Sequence, residues 1–365
     1  MTMSARTFCF GFIGAVAVIV AAIVAANVVI DPEEMFQTNL LAAHSSPNTR
    51  YQKFRAYQRD ADGVDGLFFA SSRGGVFDTQ SIATLAGAQR FASFSVIAGA
   101  ITDHVEFLEY ILRDKAARGE RIKQVLLLLD TDLFGTSSWT NRNLDSFMPP
   151  EVSGESSFRF WMRYLVSVQT TNWRESIRQS RERAPRPPVA LDRPDRRIRL
   201  AANGLIGRLL LSDDGERRKD PPPGLQLVSG DTPSAPTTAS DLSGRIRRER
   251  ISSKPFLDEQ LRQLARFVAI CRHNDIRLTV AINPLNRQNQ QQYVPGHLQE
   301  MAARIAAVTD VWDFEAPGWL ESDPAHWFEI SHFKPEIAEL MLRRMYANGA
   351  GVPDGFGRLL KQGSR

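Results

Sequence analysis

Val64-Asp65-Gly66-Leu67-Phe68-Phe69-Ala70-Ser71-Ser72-Arg73-Gly74-Gly75 is the stretch whose reading decides the fold. Its first seven residues make a short apolar run of strand length, and its last five are small or polar, the composition of a turn. The pattern recurs along the chain. Phe91 to Ile97 is a second strand candidate ending at Ala98-Gly99-Ala100, and behind it Val105, Leu108, Ile111 and Leu112 fall at helical spacing, with Thr102 or Asp103 able to cap that helix. Gln124 to Leu129 is a third apolar strand, closed by Asp130-Thr131-Asp132. Later come a helical segment from Phe256 to His273, a strand Arg277 to Ile282 ending at Asn283-Pro284, a helix around Leu298 to Ala307 and a strand Asp310 to Phe314. Pro335 opens a last helix, with Ile337, Leu340, Met341 and Met345 on one side. Strands alternating with helices predict an α/β fold with a parallel sheet covered on both faces, because parallel neighbours need crossover connections. In such sheets ligand sites lie beyond the carboxyl ends of the strands, where the unusual polar residues of this chain fall.

Residues from about 132 to 254 break the rhythm and read as an insertion containing one or two helices. Phe158 to Ile177 is helical in pattern with aromatic content, whereas Arg181 to Arg199 and Asp213 to Ser243 are rich in Pro, Arg, Asp, Ser and Thr without periodicity, as expected of an exposed mobile segment.

Residues 7–30 are an uncharged, almost unbroken apolar run, close to the length that crosses a ~30 Å hydrocarbon layer at ~1.5 Å per residue. Arg6 precedes it and Asp31, Glu33 and Glu34 follow. By the positive-inside rule, residues 1–6 stay in the cytoplasm, residues 7–30 form a single-pass signal anchor, and residues 31–365 form an extracytoplasmic domain. The rival reading is a cleaved signal peptide, for which Ala22 to Ala26 supplies small residues, although Asn27-Val28-Val29-Ile30 continues the apolar run.

With 365 residues and 43% hydrophobic content, the chain can bury a sizeable core. The formal charge of +4 is small for this length, and the basic residues are not interleaved with stacking aromatics, which argues against nucleic acid as a partner. The two cysteines, Cys9 and Cys271, are separated by the expected membrane and cannot pair. No metal-ligand spacing or phosphate-cradling glycine loop stands out, so neither a metal nor a cofactor is expected.

Two constellations bear on chemistry. In Ala70-Ser71-Ser72-Arg73 a serine at a strand-to-helix turn can present its hydroxyl while backbone N–H groups face a developing oxyanion; a plain turn or cap is the ordinary reading of such a sequence. In Glu329-Ile330-Ser331-His332-Phe333 a carboxylate three residues ahead of a histidine can fix the ring tautomer for proton transfer; a histidine packed among aromatics is the ordinary reading. Asp323-Pro324-Ala325-His326 repeats the acid-to-histidine spacing, which makes Asp323 an alternative acid. Arg73 could bind a carboxylate or phosphate, or form a structural ion pair. Trp312, Trp319, Trp327 and the neighbours Phe160 and Trp161 could stack on sugars or fill the core. The arginines of 181–199 and 245–250 could meet anionic glycan or lipid headgroups, or be solvated.

Taken together, the serine turn after the first strand and the acid-x-x-His before the last helix resemble the SGNH, or GDSL-type, hydrolase superfamily. The closer likeness is to its membrane-anchored branch, which includes D-alanyl-lipoteichoic acid transfer and alginate O-acetylation proteins. The order is Asp31-Pro32 after the anchor, Ala70-Ser71-Ser72-Arg73, Ala98-Gly99-Ala100, Asn283-Pro284-Leu285, then Glu329-Ile330-Ser331-His332-Phe333 with Pro335-Glu336. The resemblance implies a three-layer, flavodoxin-like parallel sheet. It implies Ser72 as nucleophile, His332 as general base, Glu329 as the orienting acid, the N–H groups of Ser72 and Gly99 as oxyanion donors, and Arg73 and Asn283 as substrate-binding candidates.

The implied activity is that of a serine esterase or O-acyltransferase, with acetyl the expected group, acting on a cell-envelope or exported polysaccharide at the bacterial inner membrane, the main domain periplasmic. A membrane-bound acyltransferase would be a fitting partner besides the lipid bilayer. Three departures stand out: Ala70 where glycine is usual, Glu329 where aspartate is usual, and no Gly-x-Asn-Asp block after the third strand, where Asp130-Thr131 stands instead. They define the competing expectation, a catalytically degenerate assembly factor on the same fold.

Overall fold

The computed structural model describes residues 5–38, 40–41, 47–131, 147–182, 191, 254–291, 293–315, 319–328 and 331–363. The helices and strands that matter here are, in chain order, α1 (Ala5–Ile30), α2 (Thr49–Arg59), β1 (Gly66–Ala70), α3 (Thr79–Ala86), β2 (Phe91–Ser95), α4 (Ile101–Ala117) and β3 (Gln124–Leu129). They continue with α5 (Ser157–Val166), α6 (Thr170–Glu182), α7 (Lys254–His273), β4 (Arg277–Ile282), α8 (His297–Val308), β5 (Val311–Asp313), α9 (Pro335–Tyr346) and β6 (Arg358–Leu360). They fall into two compact units, one of residues 1–55 and 146–189, the other of residues 56–145 and 190–365.

The larger unit is built on a six-stranded sheet in the order β2-β1-β3-β4-β5-β6. The first five strands are parallel, and β6 runs antiparallel to β5 at the edge. Every residue of β1, β2 and β3 is buried, which explains why β1 and β3 read as near-continuous apolar runs rather than alternating ones, while β2 buries Ser93 and Ser95 among its apolar residues. Successive side chains point to opposite faces. Phe68, Ala70, Leu126 and Leu128 join Ile82 of α3 and Ile337, Met341 and Leu342 of α9 in one core cluster. Phe69, pointing the other way, meets Phe267 of α7 edge-on and His104 of α4. Helices therefore cover both faces, and the parallel strands follow a doubly wound order whose reversal lies between β1 and β3. The antiparallel β6 was not foreseen; three residues after a glycine-rich turn carry too little pattern to read as a strand. The helix predicted to be capped by Thr102 or Asp103 starts two or three residues earlier, at Ile101 with Ala100 in the cap position, and the Asp103 carboxylate accepts the Ala100 N–H at 2.8 Å.

In the smaller unit, among the described residues, α1 is the one helix long and apolar enough to cross a membrane. Of the one or two helices expected in the insertion, the helical pattern over Phe158 to Ile177 forms two, α5 and α6, with a break at Ser167 to Gln169. Asn27 near the end of α1 explains the break. Its amide donates to the carbonyls of Leu165 and Ser167, each at 2.9 Å, and its oxygen accepts the Trp173 indole N–H at 2.9 Å. Immediately after α1, the Asp31 carboxylate caps a turn by accepting the N–H groups of Met35, Phe36 and Gln37. Met35, Tyr51, Phe160 and Tyr164 form this unit's own core, and Asn48 bonds the Tyr164 hydroxyl at 2.8 Å within it. The helical part of the insertion thus groups with the N-terminal segment. The proline- and arginine-rich stretches lie almost wholly outside the described residues.

Glu33 titrates in an unusual range. Burial raises its carboxyl from the ordinary 4.5 to about 7, with Asp31 pushing the same way, against lowering by the Gln169 hydrogen bond and by Arg163. The folded chain keeps this proton to about pH 7 while the unfolded chain releases it near 4.5, so the cost of burying the ionised form is absent below 4.5 and complete above 7. Stability of this unit should fall as pH rises through that window. Glu33→Gln should remove the fall, its advantage over wild type growing to on the order of 2 kcal/mol between pH 4.5 and 7.5 in thermal or urea unfolding; parallel stability profiles would exclude Glu33 as the source.

Candidate active site

Three loops converge at the carboxyl ends of the central strands. The first follows β1, where Ser72 to Val76 wind into a 3-10 turn capped by the Ser71 side chain. This turn lies so close to the sheet that a Cβ on Gly74 would collide with Ala70 and with the Ser95 hydroxyl, so glycine is required there. Within residues 71–75 only Ser72 is partly exposed. As the first residue of the turn, Ser72 also leaves its own N–H outside the turn's hydrogen bonds.

The second loop precedes α9. Trp327 and Phe333 form an antiparallel bridge, and the Phe328 N–H donates to the His332 carbonyl at 2.8 Å, folding the segment back on itself. Phe333 is pinned edge-on between Phe77 and Trp327, and the Trp327 indole donates to the Leu320 carbonyl at 2.9 Å. His332 is thereby held buried at the start of α9, and its Nε2 lies 2.9 Å from the Ser72 Oγ across 260 residues of chain. That separation is hydrogen-bonding reach between a hydroxyl and an imidazole.

The third element is Asp130, directly after β3. Its carboxylate accepts from the Ser71 hydroxyl, from the Arg73 guanidinium at 3.0 Å and from the Asn283 amide at 2.6 Å. Arg73, with 5% of its side chain exposed against 2% for Asp130, also donates from Nε to the Ser331 carbonyl at 2.7 Å. The ion pair thus joins the serine loop to the residue preceding His332.

Several sequence expectations are revised here. Of the two readings of Arg73, the structural ion pair holds and the substrate-binding one does not: the side chain is buried against Asp130 and Ser331. Asn283 gives its amide to Asp130, and its side-chain oxygen is buried without a partner, so it belongs to the same cluster and not to an open subsite. Gly99 donates its N–H to the Val96 carbonyl at 3.1 Å, which occupies the group expected to serve as an oxyanion donor. Asp323 accepts from the Ala325 N–H at 2.8 Å and stands 3.8 Å from His326, so it serves a different histidine and is no acid for His332. Glu329 lies outside the described residues. Trp327 and Phe160 are core residues, and Trp319 packs edge-on against His326.

Asp130 and Ser71 are the site residues that sequence reasoning undervalued. Asp130 reads from sequence as a charge hostile to an oxyanion; in the fold it is neutralised by Arg73. The signal in the sequence was a carboxylate directly after an apolar strand; that this strand lies beside the one ending in Ser-Ser-Arg is read only from the sheet. Among the described residues no group of three or more His, Cys, Asp or Glu is arranged to hold a metal ion. No protein-family model matches the chain, and a comparison with curated proteins finds none similar to it.

Removing one partner of a buried pair strands the other charge, so Asp130→Ala and Arg73→Ala should each destabilise the larger unit by about 3 to 5 kcal/mol. The Arg73→Ala, Asp130→Ala double variant should lose clearly less than the sum of the two single losses in thermal unfolding. Additive losses would show that the two side chains do not act as a pair.

Proposed function

We propose that the chain is a membrane-anchored, SGNH-like serine acyl esterase or O-acyltransferase whose globular part faces the periplasm and acts on acyl groups, acetyl first among them, of a cell-envelope or exported polysaccharide. The observation that carries the reading is the 2.9 Å approach of His332 Nε2 to Ser72 Oγ. In this cycle His332 takes the Ser72 proton as Oγ attacks the ester carbonyl, and the tetrahedral oxyanion is met by the Ser72 N–H. Collapse expels the alcohol, which takes the proton back from His332 and leaves an acyl-serine. Water or a sugar hydroxyl then loses its proton to His332, attacks the acyl-serine and regenerates the free hydroxyl. Glu329 is the proposed orienting acid.

Retention of the apolar helix as an anchor is supported by Asn27, which bonds to α5 and α6 from within α1, and by the capped turn at Asp31 that starts the folded chain directly after it. The orientation rests on Arg6 before the helix and Asp31, Glu33 and Glu34 after it. The lipid bilayer is then a constant partner, and a membrane-bound acyltransferase is the proposed source of acyl groups in the transfer version.

One observation favours the degenerate alternative: the Gly99 N–H is already engaged, which leaves Ser72 as the one named backbone donor to an oxyanion, and a missing donor costs on the order of 100-fold or more in rate. The two readings part in one experiment. The full chain in detergent should take up a fluorophosphonate probe at Ser72 and hydrolyse a p-nitrophenyl acetate ester. Ser72→Ala should abolish both, and His332→Ala should lower the rate by about 10³-fold or more. Equal turnover by wild type and Ser72→Ala would remove the enzyme reading.

A further inference from the structure

We propose that α5 and α6 lie in the interfacial layer of the bilayer that α1 crosses, giving the protein a membrane-contacting surface wider than its single anchor. The inference rests on the anchor reading of α1 and goes beyond it. Every residue of α1 from Ala5 to Ala22 is exposed, whereas from Ile23 onward one side is progressively covered, with Asn27 fully buried. The cover is the α5–α6 corner, fixed by the three hydrogen bonds of Asn27. A span of about 20 residues crosses the hydrocarbon, which counted from Thr7 ends near Ala26. Asn27 therefore stands at the outer hydrocarbon boundary, and the corner packed from Ile23 to Ile30 is level with the headgroups.

The outward face of α5 suits that level. Phe160 and Tyr164 point inward to the core, while Phe158, Met162 and Val166 repeat every fourth residue on another side of the same helix. Phe158 is 73% exposed, and Val168 at the corner is 64% exposed. A helix apolar on two sides, one of them open, is costly in water and favourable where that side meets acyl chains. Trp161 and Trp173 are of the type enriched at this depth, and exposed Arg174 and Arg181 on α6 suit lipid phosphates. The exposed apolar surface is carried by the corner that Asn27 hydrogen-bonds to the anchor itself, which favours lipid as its occupant over a separate protein.

The test uses the full chain in phospholipid nanodiscs on a Cys9→Ser background, Cys271 being buried. Single cysteines replacing Phe158, Val168 or, as a reference in the span, Val16 would carry an environment-sensitive fluorophore. Quenching would be read with aqueous iodide and with lipids spin-labelled near the headgroup or deep in the chain. The inference expects shallow lipid quenching and several-fold protection from iodide at 158 and 168, with deep quenching at 16. Free iodide access at 158 and 168 without lipid quenching would overturn it. Protection there from both quenchers would mean that protein, a second copy or another membrane protein, covers the face, and would overturn it equally. Loss of deep quenching at 16 would instead refute the anchor reading, and so separates the two failures.

Discussion

The buried pair of Arg73 and Asp130 is the constraint on which the candidate site depends. Two charges taken out of water carry a desolvation cost of several kcal/mol each, which their mutual attraction offsets only if the remaining hydrogen-bonding capacity is also filled. Here it is filled closely: Asp130 accepts from Ser71 and Asn283 besides Arg73, and Arg73 has Ser331 for its remaining face. A well-packed apolar pair could give comparable stability. It could not specify direction, because hydrogen bonds to a carboxylate and to one particular carbonyl have preferred geometry and apolar contacts do not.

That directionality matters because the residues it joins are remote in sequence. The loop after β1 and the loop before α9 come from opposite ends of the larger unit's chain, and nothing local brings them together. The sheet supplies the first approximation, since its order reverses between β1 and β3 and opens a crevice at the carboxyl ends of the strands. The aromatic contacts of Phe333 with Phe77 and Trp327 supply the second. Arg73 supplies the last ångström by holding the carbonyl one residue before His332. Catalytic groups lose much of their effect when displaced by about that distance, so in the proposed function a rigid polar strap beneath the Ser72–His332 pair is placed where rigidity has most consequence.

Much of this was legible in the sequence. Strand positions came through most clearly at β1 and β3, which are buried on both faces and so appear as near-unbroken apolar runs, and the long helices because their apolar residues repeat at helical spacing. Ser72 and His332 were legible as a pair through their positions, after the first strand and before the last helix. What failed to show was pairing between side chains. Whether Arg73 meets a substrate or an aspartate depends on which strands are neighbours, and β1 lies beside β3 only once the order 2-1-3 is known. Asp323 illustrates the opposite error: its spacing to His326 is right, yet its cap on Ala325 turns it away from the site. Where α5 gives way to α6 was unreadable for the same reason, since Asn27 lies 138 residues before the carbonyl it bonds.

The network also changes the electrostatic case for chemistry at Ser72. A bare aspartate next to a developing oxyanion raises the barrier, because the two negative charges interact through a medium of low effective dielectric. Asp130 is not bare: a guanidinium stands 3.0 Å from one oxygen, and the hydroxyl and amide of Ser71 and Asn283 donate to the carboxylate. Seen from the hydroxyl of Ser72, the carboxylate and guanidinium form a compact dipole whose potential falls with the square of distance, whereas that of a lone charge falls only with the first power. The Ser72 N–H at the start of its turn is then opposed by little net charge, and the obstacle that remains is the count of donors, with Gly99 already engaged. A substrate that brings its own hydroxyl next to the scissile ester, as a polysaccharide does, supplies a donor of the kind the backbone lacks.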